Sequence, residues 1–125
     1  MTFLRRSIPA VLCAIFSASM AASAFAQSYP DRPVKVVVPF AAGGPSDIMA
    51  RTLAAKLSEN TGKTFFIENL GGAGGNIGMG NVARSAPDGY TMLVASASYV
   101  VNPGLYANVP YDPIKDFIPI SNVGE

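Results

Sequence analysis

Ser46, Asp47, Ser96, Ser98 and Asn102 stand within or just beyond the glycine-rich and post-strand turns of this chain. Hydroxyls and an amide so placed can hydrogen-bond a small ligand, yet they provide no strong base. The chain has no histidine, which removes a Ser-His-Asp triad, an imidazole base and a pair of zinc-binding imidazoles. Its one cysteine, Cys13, lies in the expected leader, so the mature chain offers no thiol chemistry. Asp112 and Asp116 flank Lys115 in a polar loop and read as solvated surface, without the burial that tunes acid–base groups. No catalytic residue, metal ligand or cofactor is expected.

What remains is capture of an anion by backbone amides. Phe40-Ala41-Ala42-Gly43-Gly44 leads into Pro45-Ser46-Asp47, and Leu70-Gly71-Gly72-Ala73-Gly74-Gly75 leads into Asn76. Bare N–H groups at such turns, next to a helix N-terminus, hold an anion without a charged side chain. Phe40 to Gly44 contains no Lys or Arg. A carboxylate therefore suits the first turn better than a phosphate, whose greater charge more often recruits a cation. Ser46, Ser96, Ser98 and Asn102 are the reachable side-chain donors, and Phe40 can wall the site. Gly72, Gly74, Gly75 and Asn76 shape the second loop. A competing account, equally good from these residues alone, has the glycines serve tight turns only. Two nucleotide motifs fail on context. Gly62-Lys63-Thr64 precedes a strand, and Gly78-Met79-Gly80-Asn81-Val82-Ala83 falls inside a helix.

The elements that must position these groups alternate strand and helix. Val34 to Val38 is a nearly continuous β-branched run, as in a parallel strand covered on both faces. A helix opens near Pro45, which tolerates the first helical position, and stops at Gly62. Asp47 lies in its first turn, where a carboxylate can cap free N–H groups. Ile48, Met49, Leu53 and Leu57 form its apolar face. A second strand spans Thr64 to Glu68, and a second helix Asn76 to Ser85, with Gly78 and Gly80 kept for close helix–sheet packing. Thr91 to Ser96 is the third strand, and Asn102-Pro103 reads as a cap and first residue of a short helical turn. Phe117 to Ile120 is extended. This order predicts an α/β fold with a parallel sheet whose loops converge at the C-terminal ends of the strands.

Composition and charge narrow the setting. Arg5 and Arg6, the apolar stretch Ile8 to Met20, and Ala24-Phe25-Ala26 form a signal peptide over 1–26, leaving 27–125 as the mature domain. Seven basic and eight acidic residues then remain, a net charge of −1. That balance argues against nucleic acid, and no later segment is long and apolar enough for membrane insertion of the mature chain.

At these residues the chain resembles the Bug-type extracytoplasmic solute receptors of tripartite tricarboxylate transporters. The resemblance is carried by Pro39-Phe40, Gly43-Gly44, Asp47, Glu68-Asn69, Gly72 to Gly78, Ala86-Pro87-Asp88-Gly89-Tyr90-Thr91, Asn102-Pro103, Leu105-Tyr106 and Pro110-Tyr111-Asp112-Pro113 with Lys115-Asp116-Phe117. It implies lobe one of a two-lobed type II periplasmic binding protein, with the second lobe missing from a truncated chain. It also implies a periplasmic, non-enzymatic receptor that passes a small organic acid or acidic amino acid to membrane permease subunits. In such receptors a carboxylate is held by two loops, here Phe40 to Asp47 and Ser96 to Asn102. That adds Ala97 and Asp47 to the site, with Asp47 a brace because like charges repel. Leu70-Gly71 departs from the Arg-Pro common in the family. The alternatives are an inactive fragment of such a receptor and a phosphate- or nucleotide-binding enzyme domain.

Overall fold

The computed structural model describes residues 28–124. The signal peptide expected over 1–26 lies outside the described residues.

The first strand, β1, is Val34–Val38. Its side chains alternate between two faces, Val34, Val36 and Val38 on one and Lys35 and Val37 on the other. All four valines are 2 % exposed or less, so β1 is the centre of the core. The first helix, α1, is Pro45–Thr61, with Gly44 as its N-cap and Gly62 ending it at a φ of 68°. Strands β2 (Phe65–Asn69) and β3 (Thr91–Leu93) both pair parallel with β1, in the order β2-β1-β3. Val36 sits opposite Ile67 on one side and Met92 on the other. On this face Ala50 and Ala54 of α1 join Val34, Val36, Val38, Phe65 and Val94 in one cluster. Ser58 ties the layers together: its Oγ donates to Ala54 O at 2.7 Å and accepts from Phe65 N at 2.9 Å.

The other face is covered by α2, Asn76–Ala83, entered through a 3-10 turn at Ala73–Gly75. Met79 is fully buried there. A Cβ added at Gly78 would stand 2.7 Å from Leu70 O and 2.9 Å from Pro39 Cα, and one at Gly80 would stand 2.5 Å from Pro110 Cγ. Both glycines of α2 thus serve close packing, as expected from their place in a helix. The last helix, α3, is Ser98–Leu105, and Pro103 lies inside it. A proline there leaves the carbonyl four residues earlier without its helical donor. That carbonyl belongs to Tyr99, and the buried Tyr111 hydroxyl donates to it at 3.1 Å. The Tyr99 hydroxyl in turn donates to Pro113 O. The Tyr99 and Tyr111 rings stack, and Phe117 meets both edge-on.

Several local expectations shift. β2 starts and ends one residue later than predicted, and β3 stops at Leu93, although Val94 N still reaches Val37 O at 3.0 Å. α2 ends at Ala83. Asn102 is no cap: the helix begins four residues earlier, and packing of Tyr99 against Tyr111 and Phe117 outweighs the break that Pro103 imposes. Phe117 to Ile120 joins no strand, and Ile118 and Ile120 are exposed. The buried face of α1 is Asp47, Ala50 and Ala54, with Leu57 packed against the core as expected, while Ile48 is 60 % exposed and Met49 40 %. Small side chains let the helix lie close on the sheet, and Asp47 is drawn inward by hydrogen-bond donors.

The Gly78 contact is with backbone atoms, which cannot rotate away. Gly78→Ala is therefore expected to cost about 1–3 kcal/mol, read as a fall in the urea midpoint at unchanged slope. Gly104, with nothing within 4 Å of an added Cβ, is the control, and its alanine variant should move the midpoint far less.

Candidate functional site

The strand order decides where a ligand can enter. The chain runs from β1 to β2 on one side, then crosses back to place β3 on the other side of β1. Loops leaving β1 and β3 at their C-terminal ends therefore diverge and open a crevice, the usual ligand position in a sheet of this kind. A cleft of about 330 Å³ lies at that point, lined by Phe40, Ala41, Gly44, Pro45, Ser46 and Ser96. No lining residue carries a charge.

One side of the cleft is the N-terminus of α1. Gly44 is its N-cap, Pro45 has no N–H to satisfy, and no side chain caps the helix. The first intrahelical bond is Ile48 N to Gly44 O at 3.0 Å. The amides of Ser46 and Asp47 therefore have no acceptor within the helix, and the dipole adds partial positive charge at the same end. The opposite side brings Ser96, whose Oγ lies 3.1 Å from Ser98 Oγ. A water-lined anion fits this arrangement, since donors are present and no fixed negative charge lines the wall.

Asp47 is buried and turned away from its own helix end. Its Oδ2 accepts from Gly43 N at 2.8 Å and from Arg51 Nε at 2.9 Å, and its Oδ1 accepts from Asn69 Nδ2 at 2.9 Å. These donors, Arg51 first, then Gly43 and Asn69, hold its carboxyl down from the ordinary 3.8 to about 2. Asp47 therefore braces its loop, the role the resemblance implied, and does not cap the helix, because the three donors converge behind the turn. Asn69 completes it: Nδ2 also reaches Phe40 O at 3.2 Å, and Oδ1 accepts from Arg51 Nη2 at 3.2 Å. Sequence reasoning quoted Asn69 within a family block without giving it a role. The expected strand ends one residue before it, at Glu68, so its place beside the β1 turn carries no signal in the sequence.

The remaining predicted site residues take other places. Ala42, Gly43, Ala97 and Ser98 flank the cleft without lining it, and the Gly43 amide is engaged by Asp47. Asn102, expected to face a ligand, is buried behind the loops, and its Nδ2 bonds Gly74 O at 3.0 Å and Asn76 Oδ1 at 2.7 Å. It acts as a brace because the longer α3 turns this position toward the second glycine loop. That loop does not line the cleft either. Gly72, Gly74 and Gly75 hold φ of 127°, 66° and 97°, a left-handed run that lets the backbone fold under Asn102 and Tyr106. A Cβ at Gly71 would lie 3.6 Å from Ala41 N, so this loop buttresses the first one from behind. Among the described residues no cluster of His, Cys, Asp or Glu could hold a metal ion, and no helix is long and apolar enough to cross a membrane.

The sign of the Asp47 shift sets its pH dependence. A carboxyl depressed on folding adds stability that is fully present above its unfolded value and is lost as pH falls through the folded one. Comparing wild type with Asp47→Asn by urea unfolding, the stability difference should stay flat from neutral pH to about pH 5. It should then shrink as pH falls from about 4 toward 2. A difference that changes between neutral pH and 5 would contradict the geometry.

The sequence model of the Tripartite tricarboxylate transporter family receptor matches residues 49–125. Protein BugT of Bordetella pertussis is 42 % identical over 113 residues, covering 89 % of this chain and 35 % of its own length. The structure of the periplasmic binding protein BugD superposes with a TM-score of 0.71 at 52 % identity, over 74 % of this chain and 31 % of that one. MatC of Rhodopseudomonas palustris, with bound malate, gives a TM-score of 0.63 at 41 % identity, over 73 % and 31 % of the two chains. The chain spans about a third of the length of the curated relatives it matches. The parallel α/β sheet is that of periplasmic binding proteins, and the chain belongs to the tripartite tricarboxylate transporter receptor family.

Proposed function

We propose that this chain supplies the first lobe of an extracytoplasmic receptor that binds a small dicarboxylate or acidic amino acid for delivery to a tripartite tricarboxylate permease. The observation that carries this reading is the cleft at the β1/β3 switch point, where uncapped α1 amides and Ser96 meet without a charged wall residue. One ligand carboxylate sits against the Ser46 and Asp47 amides and the Ser96 hydroxyl, with Phe40 along its carbon chain. Phe40, Ala41, Gly44, Ser46 and Ser96 are the contacts, while Asp47 and Asn102 shape the loops behind them. Bound malate in MatC supports the ligand class. The role is binding without catalysis: the chain has no histidine, and its one cysteine, Cys13, falls in the proposed signal peptide over 1–26. That signal places the mature domain, 27–125, in the periplasm. Closure of a second lobe over the ligand adds contacts and excludes water, so this lobe alone binds weakly.

Amide chemical-shift titration of the purified chain suits weak binding. Malate, an acidic amino acid and inorganic phosphate are the ligands to compare. Saturable shifts at Ala41 to Asp47 and at Ser96 are expected with the carboxylates. Ser96→Glu, which sets a negative charge in the cleft, should weaken them by at least about tenfold. Shifts with phosphate but none with carboxylates, or an unaffected Ser96→Glu variant, would defeat the proposal.

A further inference from the structure

Asn69 does not line the cleft, yet it bonds three of the residues that line or support it. From the end of β2, its Nδ2 donates both to Phe40 O at 3.2 Å and to Asp47 Oδ1 at 2.9 Å, and its Oδ1 accepts from Arg51 at 3.2 Å. Phe40 begins the loop that lines the cleft, and Asp47 holds that loop's Gly43 amide from the other end. A single carboxamide therefore pins both ends of the segment that presents Ala41 and Gly44. Only a side chain with two donor hydrogens and an acceptor fills all three roles. Alanine supplies none of them, and aspartate supplies no donor unless protonated.

We infer that Asn69 is a positioning residue for the carboxylate cleft, setting ligand affinity through the shape of the Phe40–Asp47 loop without contacting ligand. This rests on the proposed function for its ligand, though not for its structural effect. The charged groups facing Asn69 are Asp47 and Arg51, both on α1. Glu68, the neighbouring strand residue, points to the opposite face of the sheet and pairs with Lys35 at 2.9 Å. An aspartate at position 69 would thus bring a second carboxyl against Asp47 Oδ1, with Arg51 alone to balance both. Two carboxyls so placed cannot both ionise freely, and the new one titrates above its ordinary range. Once protonated it can donate to Asp47 Oδ1 and restore part of the clamp.

The test is Asn69→Asp in the same purified chain, read by two measurements. In ligand-free protein, hydrogen exchange at the Gly43 amide should quicken several-fold at neutral pH and return toward the wild-type rate near about pH 4.5, each rate taken relative to wild type at that pH. In titrations with malate, the variant-to-wild-type ratio of Kd should reach about tenfold near pH 7.5 and fall toward one near pH 4.5. Using the ratio removes the ligand's own titration. A residue that only stabilises the fold would lower the melting temperature and leave both pH-dependent ratios flat, which would overturn the inference. Unchanged Gly43 exchange would overturn it whether or not malate binds. If wild type shows shifts with neither malate nor the acidic amino acid, the functional reading fails instead, and the exchange measurement still decides the clamp.

Discussion

A carboxylate that is 2 % exposed must find donors or destabilise the fold, and the way Asp47 meets this requirement organises everything around it. It accepts from Gly43 on the preceding turn, from Arg51 one helical turn onward, and from Asn69 on the neighbouring strand. The turn before α1, the next turn of the helix and the end of β2 are therefore fixed to one pair of oxygens. The burial also sets the rotation of α1. Once Asp47 points inward, Ala50 and Ala54 follow it onto the sheet, and Ile48 and Met49 turn outward.

The same arrangement leaves the end of α1 open. An acidic residue in a first helical turn ordinarily satisfies that helix's own amides. Here the carboxylate faces backward, Pro45 has nothing to donate, and the amides at Ser46 and Asp47 keep their capacity for an outside acceptor. The β2-β1-β3 order sets that end where the sheet parts. Neutral donors at a diverging edge select for an anion while leaving the surrounding charge low.

Support for the cleft comes from behind it. Gly78 lets α2 press against Leu70 and Pro39, Gly71 lies against Ala41, and Asn102 holds Gly74. Pro103 would break α3 in isolation, yet the carbonyl it frees is taken by the Tyr111 hydroxyl. The loop that lines the cleft is thereby backed by a second loop, and that loop by a helix. Rigid backing of this kind places donors before a ligand arrives, which lowers the ordering cost of binding.

What could be read from the sequence was mostly local. Val34 to Val38 announced a buried strand by composition, Pro45 and Gly62 marked the two ends of α1, and the alternation of elements pointed to a parallel sheet. The absence of histidine and of cations near Phe40 to Gly44 pointed away from catalysis and toward neutral donors. The tertiary structure alone decided which polar side chains face the crevice. Asn69 precedes a glycine-rich turn and Asn102 precedes a proline, and nothing in their spacing distinguishes brace from contact. Ser96 lines the cleft and Ser98 stands beside it, two residues apart in one short segment. Direction is the reason: periodicity and propensity report the backbone's state, whereas the face a side chain presents depends on strand order, helix rotation and partners far away in sequence. Asp47 shows this in part: its first-turn position allows a cap, the resemblance implied a brace, and Asn69, distant in sequence, joins Gly43 and Arg51 in facing the carboxylate away from the helix end.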